Sequence, residues 1–225
     1  MNYKIDGVNL PVLTLQMNRG ESVYSEPGGK SWYMGNIDVQ TNTGGAGKLF
    51  SKMFTGESIF QSKYTALEDN CQIAFASSFP GTIIPYKLNG RRLIAQKDSF
   101  LCMTEGVDLK MYNTGLKRGL FAGEGYLLQK FSGNGIVFLE IDGFCYEYEL
   151  AAGEKIVVDT GLVAAFEDSV DMNIERIKGV KNVMFGGEGL FDTTLIGPGK
   201  IYLQSMSIAN IADLLTPYFK QDSNN

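Results

Sequence analysis

The residues whose type and spacing best suit chemistry are three glutamates. Glu57, Glu124 and Glu188 each end a Phe-x-Gly-Glu segment: Phe54-Thr55-Gly56-Glu57, Phe121-Ala122-Gly123-Glu124 and Phe185-Gly186-Gly187-Glu188. The marker glycines lie 67 and 64 residues apart in a chain of 225. Carboxylates held at equivalent positions of a repeated unit are oxygen donors suited to a hard cation. The plainer reading makes each segment a turn: the Phe anchors the core, the Gly permits the bend, and the Glu accepts from backbone N–H groups or faces water. Repetition preserves structural devices as readily as functional ones. The three glutamates therefore stand as carboxylate candidates only, and no catalytic, cofactor-binding or metal-ligating residue is assigned.

Other chemistries fall away one by one. The chain has no His, which removes imidazole bases, Ser-His-Asp triads and His-ligated metal sites. Cys71, Cys102 and Cys145 are isolated thiols with no Cys-x-x-Cys, read as small apolar residues in a reducing compartment. Gly44-Gly45-Ala46-Gly47-Lys48 resembles a phosphate loop only in part: Asn42 stands where the first Gly is needed and Leu49 where Ser or Thr would bind magnesium. Asp159-Thr160-Gly161 has no second Asp-Thr-Gly to share a proton with, since Asp192-Thr193-Thr194 lacks the Gly, so it reads as a turn. The net charge of −5 and scattered Lys and Arg argue against a nucleic-acid partner. The N-terminal residues lack the layout of a signal peptide, and no apolar run approaches the ~18 residues of a membrane span. The expectation is a cytoplasmic protein with no cofactor and no enzymatic activity.

The elements that position the glutamates keep step with them. An apolar-Asp-apolar strand precedes each marker: Ile37-Asp38-Val39, Val107-Asp108-Leu109 and Val170-Asp171-Met172, with 18, 15 and 16 residues from the Asp to the marker Gly. Earlier still stand Gly20-Glu21-Ser22-Val23, Gly90-Arg91-Arg92-Leu93 and Gly153-Glu154-Lys155-Ile156. Several features in step indicate one unit used three times, at about 8–80, 81–142 and 143–206. Alternation such as Val170 to Glu175, and Leu13, Leu15 and Met17, predicts short strands with one buried face, which puts Asp38, Asp108 and Asp171 on the wet face. Short strands, regular turns and 27 glycines predict an all-β fold. Helical spacing over Lys48–Phe54, weaker over 116–121 and 180–185, predicts a helical turn in each unit. Ile208 to Leu215 predicts an amphipathic helix within 207–219, and 220–225 a disordered tail. Trp32, the only Trp, is assigned to the core or to a subunit interface.

Laid out this way, the chain resembles the prokaryotic members of the family of the altered-inheritance-of-mitochondria protein 24. The resemblance rests on the order and spacing of Glu26-Pro27-Gly28, Gly44-Gly45-Ala46-Gly47, Phe79-Pro80-Gly81, Gly123-Glu124-Gly125, Val158-Asp159-Thr160-Gly161, Gly187-Glu188-Gly189 and Gly197-Pro198-Gly199, nearly end to end. It implies a fold like the tryptophan RNA-binding attenuator: a short double-stranded β-helix, triplicated in a pseudo-threefold arrangement and assembled as a homotrimer. It also implies a link to membrane organisation, through peripheral contact. The functional expectation is a non-enzymatic scaffold that engages a protein partner. The alternatives are a small-ligand or cation-binding β-helix and, behind it, RNA binding by fold analogy.

Overall fold

The computed structural model describes residues 1–41, 61–112, 127–176 and 191–219. The three Phe-x-Gly-Glu segments, the Gly-rich stretch 44–47, the three helical-turn segments and the tail 220–225 lie outside the described residues.

The alternating patterns form strands. The first run holds β1 (Asn2–Asp6), β2 (Val12–Met17), β3 (Ser22–Ser25), β4 (Trp32–Met34), β5 (Ile37–Thr41), β6 (Ser62–Ala66) and β7 (Cys71–Ala76). The second holds β8 (Gly81–Lys87), β9 (Leu93–Gln96), β10 (Phe100–Thr104), β11 (Val107–Met111), β12 (Leu128–Gly133) and β13 (Ile136–Asp142). The third holds β14 (Cys145–Leu150), β15 (Lys155–Asp159), β16 (Val163–Glu167), β17 (Asp171–Arg176), β18 (Phe191–Ile196) and β19 (Gly199–Gln204). A helix, α1 (Ile208–Leu215), follows, with Ser207 Oγ accepting from Asn210 N–H at its N-terminus. The fold is all-β with a short C-terminal helix, as expected.

All strand pairs are antiparallel. In the first run β7 lies between β2 and β4, and β6 between β3 and β5. In the second, β13 lies between β8 and β10, and β12 between β9 and β11. In the third, β19 lies between β14 and β16, and β18 between β15 and β17. Two further pairings join the runs: β3 to β10 and β9 to β16. The outcome is two six-stranded sheets that cross from run to run, ordered β5-β6-β3-β10-β13-β8 and β11-β12-β9-β16-β19-β14. At the ends remain a four-stranded sheet, β1-β2-β7-β4, and a three-stranded one, β15-β18-β17.

The buried face of each strand follows the period of two. Leu13, Leu15 and Met17 are fully buried, and Leu109 is buried while its neighbours Asp108 and Lys110 are exposed. Asp108 and Asp171 face solvent as predicted; Asp38 is half-buried and accepts from Gln40 Nε2 at 2.8 Å. The core is continuous across the joints. Leu101, Cys102 and Phe138 of the second run pack with Leu13, Leu15 and Phe75 of the first. Ala164, Ala165 and Tyr202 of the third pack with Phe100, Phe131 and Leu139 of the second. Glycine is required where the hairpin of β11 and β12 meets its turns: Gly106 and Gly133 have φ of +88° and +101°, and a Cβ on either would strike the carbonyl oxygen facing it.

Phe131, fully buried and tilted against Phe100 with ring centroids 5.3 Å apart, tests this core. Phe131→Ala is expected to cost about 3–5 kcal/mol, read as a lower midpoint in urea denaturation. A loss under about 1 kcal/mol would show that the cluster is not the folding core.

Candidate functional site

The joint between the second and third runs carries a polar cluster built on Glu167 and Asp168. Glu167 ends β16, and its side chain is only 12% exposed. Its carboxylate accepts from Tyr86 Oη at 2.7 Å, from Arg91 Nη1 at 3.2 Å and from Lys200 N–H at 3.1 Å. The next residue, Asp168, pairs with Arg92 at 2.7 Å and Lys130 at 2.8 Å, and the Lys130 ammonium lies over the Tyr112 ring. Burial pushes the Glu167 carboxyl up, but hydrogen bonds from Tyr86, Lys200 N–H and Arg91 outweigh it and hold it below the ordinary value. The same burial, with the Glu167 bond second, drives the Tyr86 phenol up, so it stays a donor.

Thr104 occupies the matching place on β10. It pairs with Val23 as Glu167 pairs with Leu93, and its Oγ1 accepts from Ile136 N–H at 2.9 Å. The ion pair at this earlier joint is Lys97 with Glu26, at 3.2 Å. Both joints are thus the same antiparallel ladder, locked by different side chains. Arg91, Glu149, Glu167 and Ser169 also line an open cleft of about 610 Å³. Arg91 and Glu167 are spent on each other there. That arrangement serves cohesion better than ligand capture.

Among the described residues, two strand edges lack the neighbour that their counterparts have. β3 and β9 each pair with the next run, whereas β15 ends its sheet; β10 and β16 each pair with the previous run, whereas β4 ends its sheet. Burial follows the pairing. On the paired edges Met103 and Phe166, Ile94 and Ala95, and Cys102 and Ala165 are all at most 2% exposed. On the unpaired edges Trp32 is 51% exposed, Tyr33 41%, Met34 64% and Val157 59%. Trp32 is therefore not a core residue of the single chain. Four large apolar side chains are thus exposed along these edges.

The other sequence candidates separate clearly. Glu57, Glu124 and Glu188 lie outside the described residues. Among the described residues no three His, Cys, Asp or Glu side chains gather as a metal site requires. Cys71 and Cys102 are buried, and Cys145 is half-buried, its thiol pushed up to about 11 by burial and then by Glu147. The Asp159 carboxylate accepts from Gly161 N–H, the turn geometry expected of Asp159-Thr160-Gly161. Sequence reasoning missed Glu167 and Asp168. Arg91-Arg92 was visible as a basic pair, but nothing local shows that its acids lie more than seventy residues onward, 76 from Arg91 to Glu167.

The model of the family described as mitochondrial biogenesis AIM24 matches residues 3–206. The chain belongs to the AIM24 family. It is 26% identical over 234 residues to an uncharacterized protein of Streptococcus pyogenes serotype M6, spanning 100% of this chain and 93% of that one. It is also similar to the X-ray crystal structure of a Streptococcus pyogenes protein, at 25% identity and a TM-score of 0.81, over 97% of this chain and 99% of that one. No helix among the described residues of this AIM24-family chain is long and apolar enough to cross a membrane.

Glu167 gives a pH-dependent test. A carboxyl held low in the folded state contributes stability above its unfolded pKa and loses it as pH falls through the folded pKa. Glu167→Gln is expected to cost about 1–3 kcal/mol at neutral pH. The gap from the parent protein should shrink as pH drops below the carboxylate range, as read from urea midpoints measured along a pH series.

Proposed function

We propose that this AIM24-family protein is a non-enzymatic scaffold, built of three units like the tryptophan RNA-binding attenuator and assembled head to tail as a homotrimer. One observation carries the reading: the bare edges of β4 and β15 are the two halves of a joint the chain already makes twice. The first and third runs each leave a half-sheet at the end, and together these complete a sheet of the same kind as the internal ones.

The internal joints predict the register. Phe166 pairs with Ile94 and Ala165 with Ala95 at one, and Met103 pairs with Tyr24 at the other. Carried over, Tyr33 of one copy lies opposite Val157 of the next, Trp32 opposite Val158 and Met34 opposite Ile156. Trp32 would then enter the place filled by Cys102 and Ala165, and close the core of the third run from outside. A head-to-tail contact either closes a ring or grows a filament. Closure at three copies is the number that the family resemblance implies.

The lack of His and the self-paired charges of the cleft support a role without catalysis. Several equivalent faces in one assembly give a hub avidity for its partners. The three free cysteines support a cytoplasmic setting. Ile208, Leu214, Leu215 and Phe219, all exposed around α1, support peripheral membrane contact.

Light scattering at micromolar concentration is expected to return a trimer for the parent protein and a monomer for Val157→Asp. The Tyr33→Cys, Val157→Cys double variant should cross-link between copies on oxidation, and neither single variant should do so. A monomeric parent protein would sink the assembly.

A further inference from the structure

The other ends of the crossing sheets carry a second asymmetry. β2, β8 and β14 hold the same place in their runs: Leu15 of β2 pairs with Ile73, Tyr86 of β8 with Val137 and Tyr148 of β14 with Ile201. Their outer edges are treated in three ways. The edge of β2 is covered by β1, which pairs Tyr3 with Leu15, Lys4 with Thr14 and Ile5 with Leu13. The edge of β8 carries Pro85, at the place of Thr14, and proline blunts a strand edge because it has no N–H to offer an incoming chain. Among the described residues nothing pairs with the edge of β14, and that edge has no proline; Glu147 stands at that same place.

The side chains of β14 specify what would fit. Phe144, just before it, and Tyr146 and Tyr148 within it are 62%, 49% and 46% exposed, on one face. Glu147 and Glu149 alternate with them on the other, with Lys200 bonded to Glu147. An acidic edge repels a second copy of itself and favours a basic strand. A strand laid on β14 as β1 lies on β2 sets an apolar residue opposite Tyr148, a basic one opposite Glu147, an apolar one opposite Tyr146 and a basic one opposite Glu149. At the internal joints the adjoining run pairs with neither β2 nor β8, so trimer closure of the same kind would cover faces of Tyr146 and Tyr148 and leave the ladder groups of β14 open.

We propose that the free edge of β14 is a docking site for an extended segment of a partner protein in which aromatic or aliphatic residues alternate with Lys or Arg. The segment adds one antiparallel strand to the sheet: main-chain hydrogen bonds supply affinity and the alternating side chains supply selection. This rests on the scaffold reading and gives it a partner chemistry.

The test uses the full-length protein and a fluorescent peptide of alternating Lys and Tyr or Ile, followed by anisotropy and by amide exchange of Tyr146 to Glu149. The peptide is expected to bind and to slow exchange on β14. Glu147→Pro copies the natural Pro85 and should weaken binding at least about tenfold, because strand addition needs the donor it removes. A peptide N-methylated at alternate residues, which leaves the protein untouched, should fail in the same way. Equal binding of the methylated peptide would mean charge attraction alone and would overturn the proposal, as would no binding at all. A species larger than the trimer that Glu147→Pro abolishes would make a second copy the occupant and also overturn it. Light scattering of the same samples reports the trimer separately, so loss of docking with the trimer intact rejects only the docking site.

Discussion

Every strand edge in this protein must find something to pair with, repel or exclude, and the architecture follows from how each edge meets that demand. A β-strand offers a row of N–H and C=O groups on both sides. The six central strands, β6, β7, β12, β13, β18 and β19, satisfy both sides within their own runs. β3, β9, β10 and β16 satisfy one side only by crossing to the neighbouring run. Those crossings turn three short runs of strands into one body. They also dictate what the chain lacks at its two ends, where β4 and β15 repeat the edges but not the pairing.

The core depends on the same crossings. A six-strand run of about sixty residues buries too little surface to be robust alone. Here Leu101, Cys102 and Phe138 complete the core of the run before them, and Ala164, Ala165 and Tyr202 do the same one run later. Residues at one joint are therefore core residues of its neighbour. The side chains that lock the joints have diverged within this pattern. Thr104 needs one hydroxyl to hold the Ile136 N–H, whereas Glu167 holds the Lys200 N–H and also gathers Tyr86 and Arg91. The backbone contact is kept and the side-chain chemistry varies around it.

Much of this was legible in advance. Strand positions followed from alternation, as in Leu13, Leu15 and Met17, because the side-chain period of a strand is two wherever one face is buried. The C-terminal helix was legible from the apolar spacing of Ile208 to Leu215, since helical period is local, whereas its Ser207 cap was not singled out. Local signals did not reach the joints. Arg91 lies near Glu167 through the β9–β16 ladder, 76 residues apart in sequence. Trp32 carried no mark that distinguishes a core position from an unpaired edge, because a large aromatic suits both.

From the sequence alone it follows that the chain folds as short strands with a recurring order, that it has no imidazole chemistry, and that three carboxylates recur at similar intervals of 67 and 64 residues. Periodicity and composition act through neighbouring residues, and those statements need nothing else. Which edges are paired and which are bare emerges in three dimensions. Among the described residues the tertiary structure placed Met103 and Phe166 between two strands and their counterpart Tyr33 on a sheet edge, and it left β14 open where β1 covers β2 and Pro85 blunts β8. Pairing is a relation between segments distant in sequence, settled by which backbone groups meet in space, and no residue carries it alone.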